Sequence, residues 1–357
     1  MLAEQLKNVF DQFKHNAQYV NYKIISSGHI NDTYLIETTK KPYFVLQRIN
    51  HGVFKDIPRL IENKVAISRH IKVKIANESK IKQESGTLIF VSTKEGVSYY
   101  RGKEGNYWNL MHFIDKSVTH ETVSNVDIAY EGGKLMGKFL SLTSDFDANK
   151  LIEVIPKFHD MSFRYRQFED ALKVASSERL ESSQRYIWKI KKMKNEMHIL
   201  QSLKESGVIK TRVTHNDAKI SNILFNENNK GICVIDIDTV MPGIIHYDFG
   251  DAIRTVCNNA AEDETNLDLV VFNVDYYKAY KKGFLKHMKS SITPLELKYL
   301  PLGAKTMIFI MALRFLTDYL NGDVYYKTKY PEHNMDRAKN QFKLLESLIN
   351  QIHKIEN

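Results

Sequence analysis

The apolar residues of this chain change period at about residue 115, and that change does most to limit the folds open to it. Before it, short segments alternate with a period of two: YKII (22–25), TYLIET (33–38), YFVLQRI (43–49), TLIFVS (87–92), VSYYR (97–101) and NYWNLMHFI (106–114). Successive side chains of a strand point to opposite faces, and the turns EG and GKEG between the later segments are hairpin signals, so this stretch predicts an antiparallel sheet. One helix interrupts it, over residues 56–74, with Ile57, Leu60, Ile61, Val65, Ile67, Ile71 and Val73 behind a cap-like Asp56 and Pro58. The N-terminal MLAEQLKNVFDQFKHN reads as an amphipathic helix rather than a signal peptide.

After residue 115 the spacing becomes helical. Residues 126–142 form one candidate helix, and Ile187, Ile190, Met193, Met197, Leu200 and Leu203 recur at gaps of three and four. Further helices are expected over 267–288, 294–321 and 333–354. Inside this half lies a strand-like island, 223–225 and 232–237, joined by the turn NENNKG. A sheet followed by helices is an α+β pattern, with an N-terminal lobe of residues 1–114 and a larger helical lobe of residues 115–357. The crevice between two such lobes is the default ligand site.

Composition excludes several classes. With 357 residues, 43% apolar and 26% charged, the chain can build a core and is neither disordered nor fibrous. Two cysteines, Cys233 and Cys257, make no disulfide framework and no C-x-x-C pair, which fits a reducing cytoplasm. The most apolar run, 307–316, is too short to span a bilayer, so no membrane role is expected. A net charge of +9 arises from scattered Lys and Arg without a basic arm, which argues against nucleic acid and is compatible with phosphorylated ligands.

The island is preceded by THNDAKISNILF, in which His215, Asp217, Lys219 and Asn222 read H-x-D-x-K-x-x-N, and Asp236 follows on the returning strand. Phosphoryl transfer needs a carboxylate to orient the acceptor hydroxyl and take its proton, a cation to screen phosphoryl oxygens, and oxygen ligands for a metal. Asp217 suits the base, Lys219 the cation, and Asn222 with Asp236 the metal ligands; such hard oxygens favour Mg2+. Turn Asp and Asn ordinarily only cap backbone, but five matching positions in a strand context exceed that reading. Upstream, the turn 26–33 (SSGHINDT), with Gly28, Asn31 and Thr33, can lay backbone amides over phosphates or be an ordinary hairpin. Arg48 in FVLQRI is placed as a second phosphate cation, oriented by Glu62 of the following helix.

Together GHINDTYLI, FVLQRIN, THNDAKISNILF, VIDIDTVMPGIIHYDFGDAIR and the late LRFLTDYLNGDVYYK resemble the aminoglycoside phosphotransferase and choline kinase superfamily, and within it the N-acetylhexosamine 1-kinase branch, from about residue 24 to 345. The resemblance implies a bilobal protein-kinase-like fold, ATP with Mg2+, and transfer of the γ-phosphate to the anomeric hydroxyl of N-acetylglucosamine or N-acetylgalactosamine. It places the adenine near Met111, His112 and Phe113, and offers Asp238 for metal or sugar. His29, Asp251, Arg254, Arg314, Tyr325 and Tyr326 become sugar candidates, with Asp251, Arg314 and Tyr325 retained as substrate residues. Asp251 and Arg254 also read as a plain helical pair, and Arg314 as a helix anchor. Asp248 of the letters D-F-G is expected to brace the catalytic loop rather than bind metal.

Aminoglycosides are polycations, yet residues 291–345 hold 5 acidic and 8 basic side chains, which disfavours them and choline alike. Asn216 stands where protein kinases place the Arg that senses a phosphorylated loop. The remaining rivals are a kinase of another small alcohol or amino alcohol, and a catalytically silent nucleotide-binding protein; retention of Asp217, Asn222 and Asp236 together argues against silence.

Overall fold

The computed structural model describes residues 2–26, 31–78 and 86–355. The chain forms two compact units, the first of residues 1–119, 142–156 and 223–242, the second of 120–141, 157–222 and 243–357. It therefore does not divide once, at residue 114, as the change of period suggests; it returns to the first unit twice.

The first unit opens with α1 (Leu2–Phe10), β1 (Tyr19–Ser26), β2 (Asp32–Thr38) and β3 (Phe44–Ile49), then α2 (Ile57–Glu78), β4 (Phe90–Val91), β5 (Tyr100–Arg101), β6 (Tyr107–His112) and β7 (Ser117–Val118). The main sheet is antiparallel in the order β1-β2-β3-β6-β4, with β5 also on β6. The expected strands at 87–92 and 97–101 shrink to two residues each, because only those residues pair with β6. One face of the sheet presents Tyr34, Ile36, Phe44, Leu46, Trp108 and Leu110 to Leu6, Val9 and Phe10 of α1 and to Phe13. Burying a handful of such side chains at roughly 1.5–3 kcal/mol each makes α1 part of the core. The opposite face, which carries Gln47, meets α2: Lys64 Nζ donates to Gln47 Oε1 at 2.9 Å.

The second unit begins with α3 (Val126–Leu142), α4 (Met161–Val174), α5 (Ser177–Met197), α6 (Ile199–Glu205) and β8 (Arg212–Thr214). Asp160 caps α4, accepting from Phe163 N at 2.7 Å. The chain then re-enters the first unit as β9 (Ile223–Asn226) and β10 (Gly231–Val234), a hairpin whose β9 also pairs with β7. After β11 (Met241–Gly243) come α7 (Ile245–Val256), α8 (Val274–Met288), α9 (Pro294–Lys298), α10 (Leu300–Leu320) and α11 (His333–Gln351). The helix expected over 267–288 is broken where Asn273 caps α8, accepting from Tyr276 N at 3.0 Å. The one expected over 294–321 divides at Tyr299, ahead of Pro301 in the first turn of α10.

Among the described residues α10 is long and apolar enough to cross a membrane, longer than the run 307–316 suggests, but 72% of its most apolar window is buried inside the protein, as befits the central helix of the second unit. Glycines let α3 and α8 approach closely: a Cβ on Gly137 would stand 2.2 Å from the Phe284 carbonyl oxygen, and one on Gly283 2.1 Å from that of Tyr130. Backbone cannot yield as a flexible side chain does, so Gly137→Ala is expected to destabilise the protein by about 1–3 kcal/mol through overpacking. Denaturant unfolding measures this, and unchanged stability would show that the helices part freely.

Candidate active site

In the second unit the loop that carries Asp217, Lys219 and Asn222 starts where β8 ends. Asn216 adopts a left-handed backbone (φ 65°), uncommon for any residue but glycine and best tolerated by Asn and Asp. What holds it there is Asp248, fully buried on α7, whose Oδ2 accepts from His215 N and Oδ1 from Asn216 N, each at 2.7 Å. Asp248 thus braces the loop, as its place outside the hairpin suggests. Burial pushes its carboxyl up to about 6 against the pull of His215 and the two amides.

The loop continues through buried Ala218 and Ile220 into a 3-10 turn, Ile220–Asn222, that carries Asn222. The Nδ2 of Asn222 donates to the Asp217 carbonyl at 2.8 Å and to Asp217 Oδ2 at 2.9 Å; Lys219 Nζ stands 3.2 Å from the same oxygen. Burial raises the Asp217 pKa, but Lys219, His215 and Asn222 together more than reverse that, so the net shift is downward. Asp217 is therefore ionised at neutral pH, and its Oδ1 has no partner among the described residues. A carboxylate fixed through one oxygen and open at the other can orient a hydroxyl and accept its proton. Both hydrogens of the Asn222 amide are spent on Asp217, so its oxygen, a hard donor, takes no part in holding that carboxylate.

A polar and aromatic cluster adjoins this loop within the same unit. The Arg314 guanidinium lies over the rings of Phe158, Tyr326 and Tyr325 at 5.2, 5.5 and 5.9 Å, and no carboxylate pairs with it among the described residues. Arg164 donates to the Phe158 carbonyl from Nη2 at 2.7 Å, and burial followed by the nearby Arg314 charge brings it down to about 10. The backbone of the Tyr325–Tyr326 loop is fixed by buried Asp318, one turn after Arg314 on α10, which accepts from Val324 N, Tyr325 N and Tyr326 N at 3.1, 2.8 and 2.9 Å. Asp251 pairs through Oδ1 with Arg254 Nε at 3.0 Å, and Arg254 reaches Glu262 at 2.6 Å, so the helical-pair reading of Asp251 and Arg254 is realised. Burial, opposed by Arg254 and reinforced by Asp217, still leaves Asp251 raised. Its Oδ2 and the hydroxyl of Tyr326 are buried without a hydrogen-bond partner among the described residues.

The first unit corrects three expectations. Arg48 does not pair with Glu62. It stands opposite Asp32 and Trp108, and opposed residues share a face, so Arg48 lies on the α1 side and binds Asp32, Nε to Oδ2 at 2.6 Å. Glu62 is exposed. The cation on the α2 side is Lys64, buried, bonded to Gln47 and to Asp238. Asp238 is not an open substrate ligand either: Lys64 takes one oxygen and Asn31 Nδ2 the other. Nor does the strand persist to Asp238; β10 ends at Val234, Asp236 is left-handed (φ 56°, ψ 47°), and a 3-10 turn, Ile237–Thr239, follows. Asn31 Oδ1 accepts from Asn50 N at 2.9 Å, so this expected phosphate-loop residue ties the start of β2 to the end of β3 and to Asp238 instead. Thr33 faces Gln47 across the β2–β3 pair, and Met111 lies opposite Val45, with Phe113 N donating to the Tyr43 carbonyl at 2.9 Å. Gly28 and His29 lie outside the described residues. Asn222 belongs to the second unit and Asp236 to the first.

Sequence reasoning missed Lys64, Arg164 and Asp318. The signal for Lys64 was present: it interrupts the apolar stripe of Leu60, Ile61, Ile67 and Ile71 on the buried side of α2.

An antiparallel sheet in the N-terminal region and a helical C-terminal part, with the braced loop carrying Asp217, Lys219 and Asn222, make up a protein-kinase-like fold. The chain matches the phosphotransferase enzyme family (APH) over residues 21–269, more than half its length, and belongs to that family. It is similar to a microcompartment-associated aminopropanol kinase (12% identity, TM-score 0.62, covering 99% of this chain and 98% of that one). Similar too are an amicoumacin kinase in complex with AMP-PNP, Ca2+ and Ami (12%, 0.60, 96% and 93%) and choline kinase from Cryptosporidium parvum (15%, 0.57, 93% and 91%).

The buried histidines give a pH test. Burial, then Arg314, lowers His159 to about 3, and burial lowers His246 to about 4 although it bonds the Glu296 carbonyl at 2.8 Å. Unfolded histidine titrates near 6.5, so between roughly 4 and 6.5 the unfolded chain binds more protons and stability must fall as pH falls. Asp248, raised to about 6, and Asp251, also raised, act in the opposite sense, against His159, His246 and the likewise lowered His112. Tm is expected to drop from pH 7 to 5, with a slope reduced by about one proton in His246→Gln; a Tm that rises on acidification would contradict this.

Proposed function

We propose that this phosphotransferase is an ATP- and Mg2+-dependent kinase that phosphorylates the anomeric hydroxyl of an N-acetylhexosamine. The observation that carries the acceptor class is the cluster of Arg314, Arg164, Tyr325 and Tyr326 beside the Asp217 loop, basic and aromatic, in which no carboxylate pairs with Arg314 among the described residues. A sugar face suits aromatic walls, while buried polar atoms lacking partners, the Asp251 Oδ2 and the Tyr326 hydroxyl, suit a ligand rich in hydroxyls. The structurally similar aminopropanol and choline kinases are named for cationic acceptors, and besides the proposed base Asp217, Asp251 is the carboxylate near this cluster that such a group would need. Its pairing with Arg254 and its raised pKa speak against that use.

Bound Mg2+ and ATP supply the γ-phosphoryl group and neutralise charge on its oxygens. Asn222 and Asp236 would hold the metal. Asp217, open at Oδ1, holds the anomeric hydroxyl in line and takes its proton as the new phosphorus–oxygen bond forms and the bond to the β-phosphate breaks. Lys219, on the other Asp217 oxygen, keeps that base ionised and lends positive charge to the transferring oxygens. For the nucleotide, Lys64, the cation on the α2 side of the sheet beside Gln47, would serve in place of Arg48, which is paired with Asp32 on the α1 side. Arg314 and Tyr325 would bind the sugar.

Asp217→Asn should lower kcat by about 10²–10⁴ while ATP affinity, measured calorimetrically, stays within about twofold of wild type. Parallel loss of both would assign Asp217 a structural role. N-acetylglucosamine should exceed glucosamine in kcat/KM by at least about tenfold, because the free ammonium meets like charge at Arg314 and Arg164. A preference for the amine would refute the acceptor class.

A further inference from the structure

His159 lies in the second unit, only 9% exposed, with its ring 4.4 Å from that of Phe158 and 5.3 Å from that of Tyr247. Its Nε2 is 3.2 Å from the carbonyl oxygen of Asn216, the residue before Asp217. A carbonyl can only accept, so Nε2 carries the hydrogen and, in the neutral ring, Nδ1 is a bare acceptor. Burial and the Arg314 and Arg164 charges keep the ring neutral. That acceptor is buried and has no hydrogen-bond partner among the described residues. Bracing the catalytic loop requires Nε2 alone, so packing leaves Nδ1 unexplained.

We propose that Nδ1 of His159 accepts a hydrogen bond from a donor group on the phosphoryl acceptor, a hydroxyl or amide N–H near the reacting hydroxyl, which makes His159 a specificity-determining residue. This rests on the acceptor-site reading above. The chemistry selects in a definite way: a lone pair in a buried site welcomes a sugar hydroxyl or N-acyl N–H and repels a ligand group that can only accept, such as a carboxylate. The neighbouring guanidiniums exclude the other obvious donor, an ammonium. What passes both filters is an uncharged polyhydroxyl or N-acylated sugar.

Two variants separate the ring nitrogens. His159→Gln keeps an amide N–H at the Nε2 position for the Asn216 carbonyl and removes the acceptor at Nδ1; His159→Asn keeps an oxygen near the Nδ1 position and gives up the bond to the loop. Steady-state kinetics on whichever sugar or alcohol the wild type uses best should give His159→Gln a KM for the acceptor about tenfold higher, with ATP affinity by calorimetry unchanged within about twofold. His159→Asn should instead lose mainly kcat. Among acceptor analogues lacking one donor at a time, a single analogue should be used equally by wild type and His159→Gln, and it identifies the bonded group. A wrong sugar assignment appears in the wild type alone, through the acceptor it chooses. A wrong role for His159 appears in the comparison: an unchanged KM in His159→Gln, a penalty equal across all analogues, or the reverse pattern between the two variants overturns the proposal.

Discussion

Two backbone amides, those of His215 and Asn216, end on the two oxygens of one fully buried carboxylate, Asp248, and the geometry of the loop that carries Asp217 depends on that contact. A left-handed Asn216 persists only where its surroundings over-determine it. Asp248 holds the amide of Asn216, in the peptide before it, and His159 its carbonyl, in the peptide after it. The next residue is Asp217, so the direction of its carboxylate follows from the two anchors, and Asn222 and Lys219 then complete it. Keeping Asp248 charged in the interior is costly, as its raised pKa records; the amides it holds are the return on that cost.

A second buried carboxylate organises the first unit. Asp238 is held by Lys64 from α2 and by Asn31 at the start of β2, while Gln47 on β3 accepts from Lys64 and, at 3.4 Å, from Asn109 on β6. Removing one partner of such a pair leaves an uncompensated buried charge, so these groups stand or fall together. Two residues earlier, left-handed Asp236 is set by the same turn. In each unit, then, a buried carboxylate network lies beside a left-handed backbone position, at Asn216 and at Asp236.

Much of this was legible in the sequence. The change of period located the sheet and the helices, and the spacing of His215, Asp217, Lys219 and Asn222 marked the loop whose geometry the structure displays. The face of β3 was not legible. Its residues Phe44, Val45, Leu46, Gln47, Arg48 and Ile49 are apolar or polar on both sides, so alternation cannot say which side meets α1; the choice is made by Trp108, Leu110 and Phe10 packing on Leu46 and Phe44. A one-residue change of face exchanges Gln47 for Arg48. Asp238 was misread for a related reason, since a run of apolar residues cannot announce that a strand stops at Val234. The role of His159 was equally hidden, because a hydrogen-bond partner missing from one ring nitrogen is a fact of packing alone.

The central claim is that the open oxygen of Asp217 presents an anomeric hydroxyl for phosphorylation. Phosphorus NMR of the product formed from N-acetylglucosamine, ATP and Mg2+ tests it most directly. The account predicts a phosphate signal coupled to the anomeric proton. A phosphate on any other hydroxyl of the sugar, or transfer to an amino alcohol such as aminopropanol with every sugar left untouched, would contradict it.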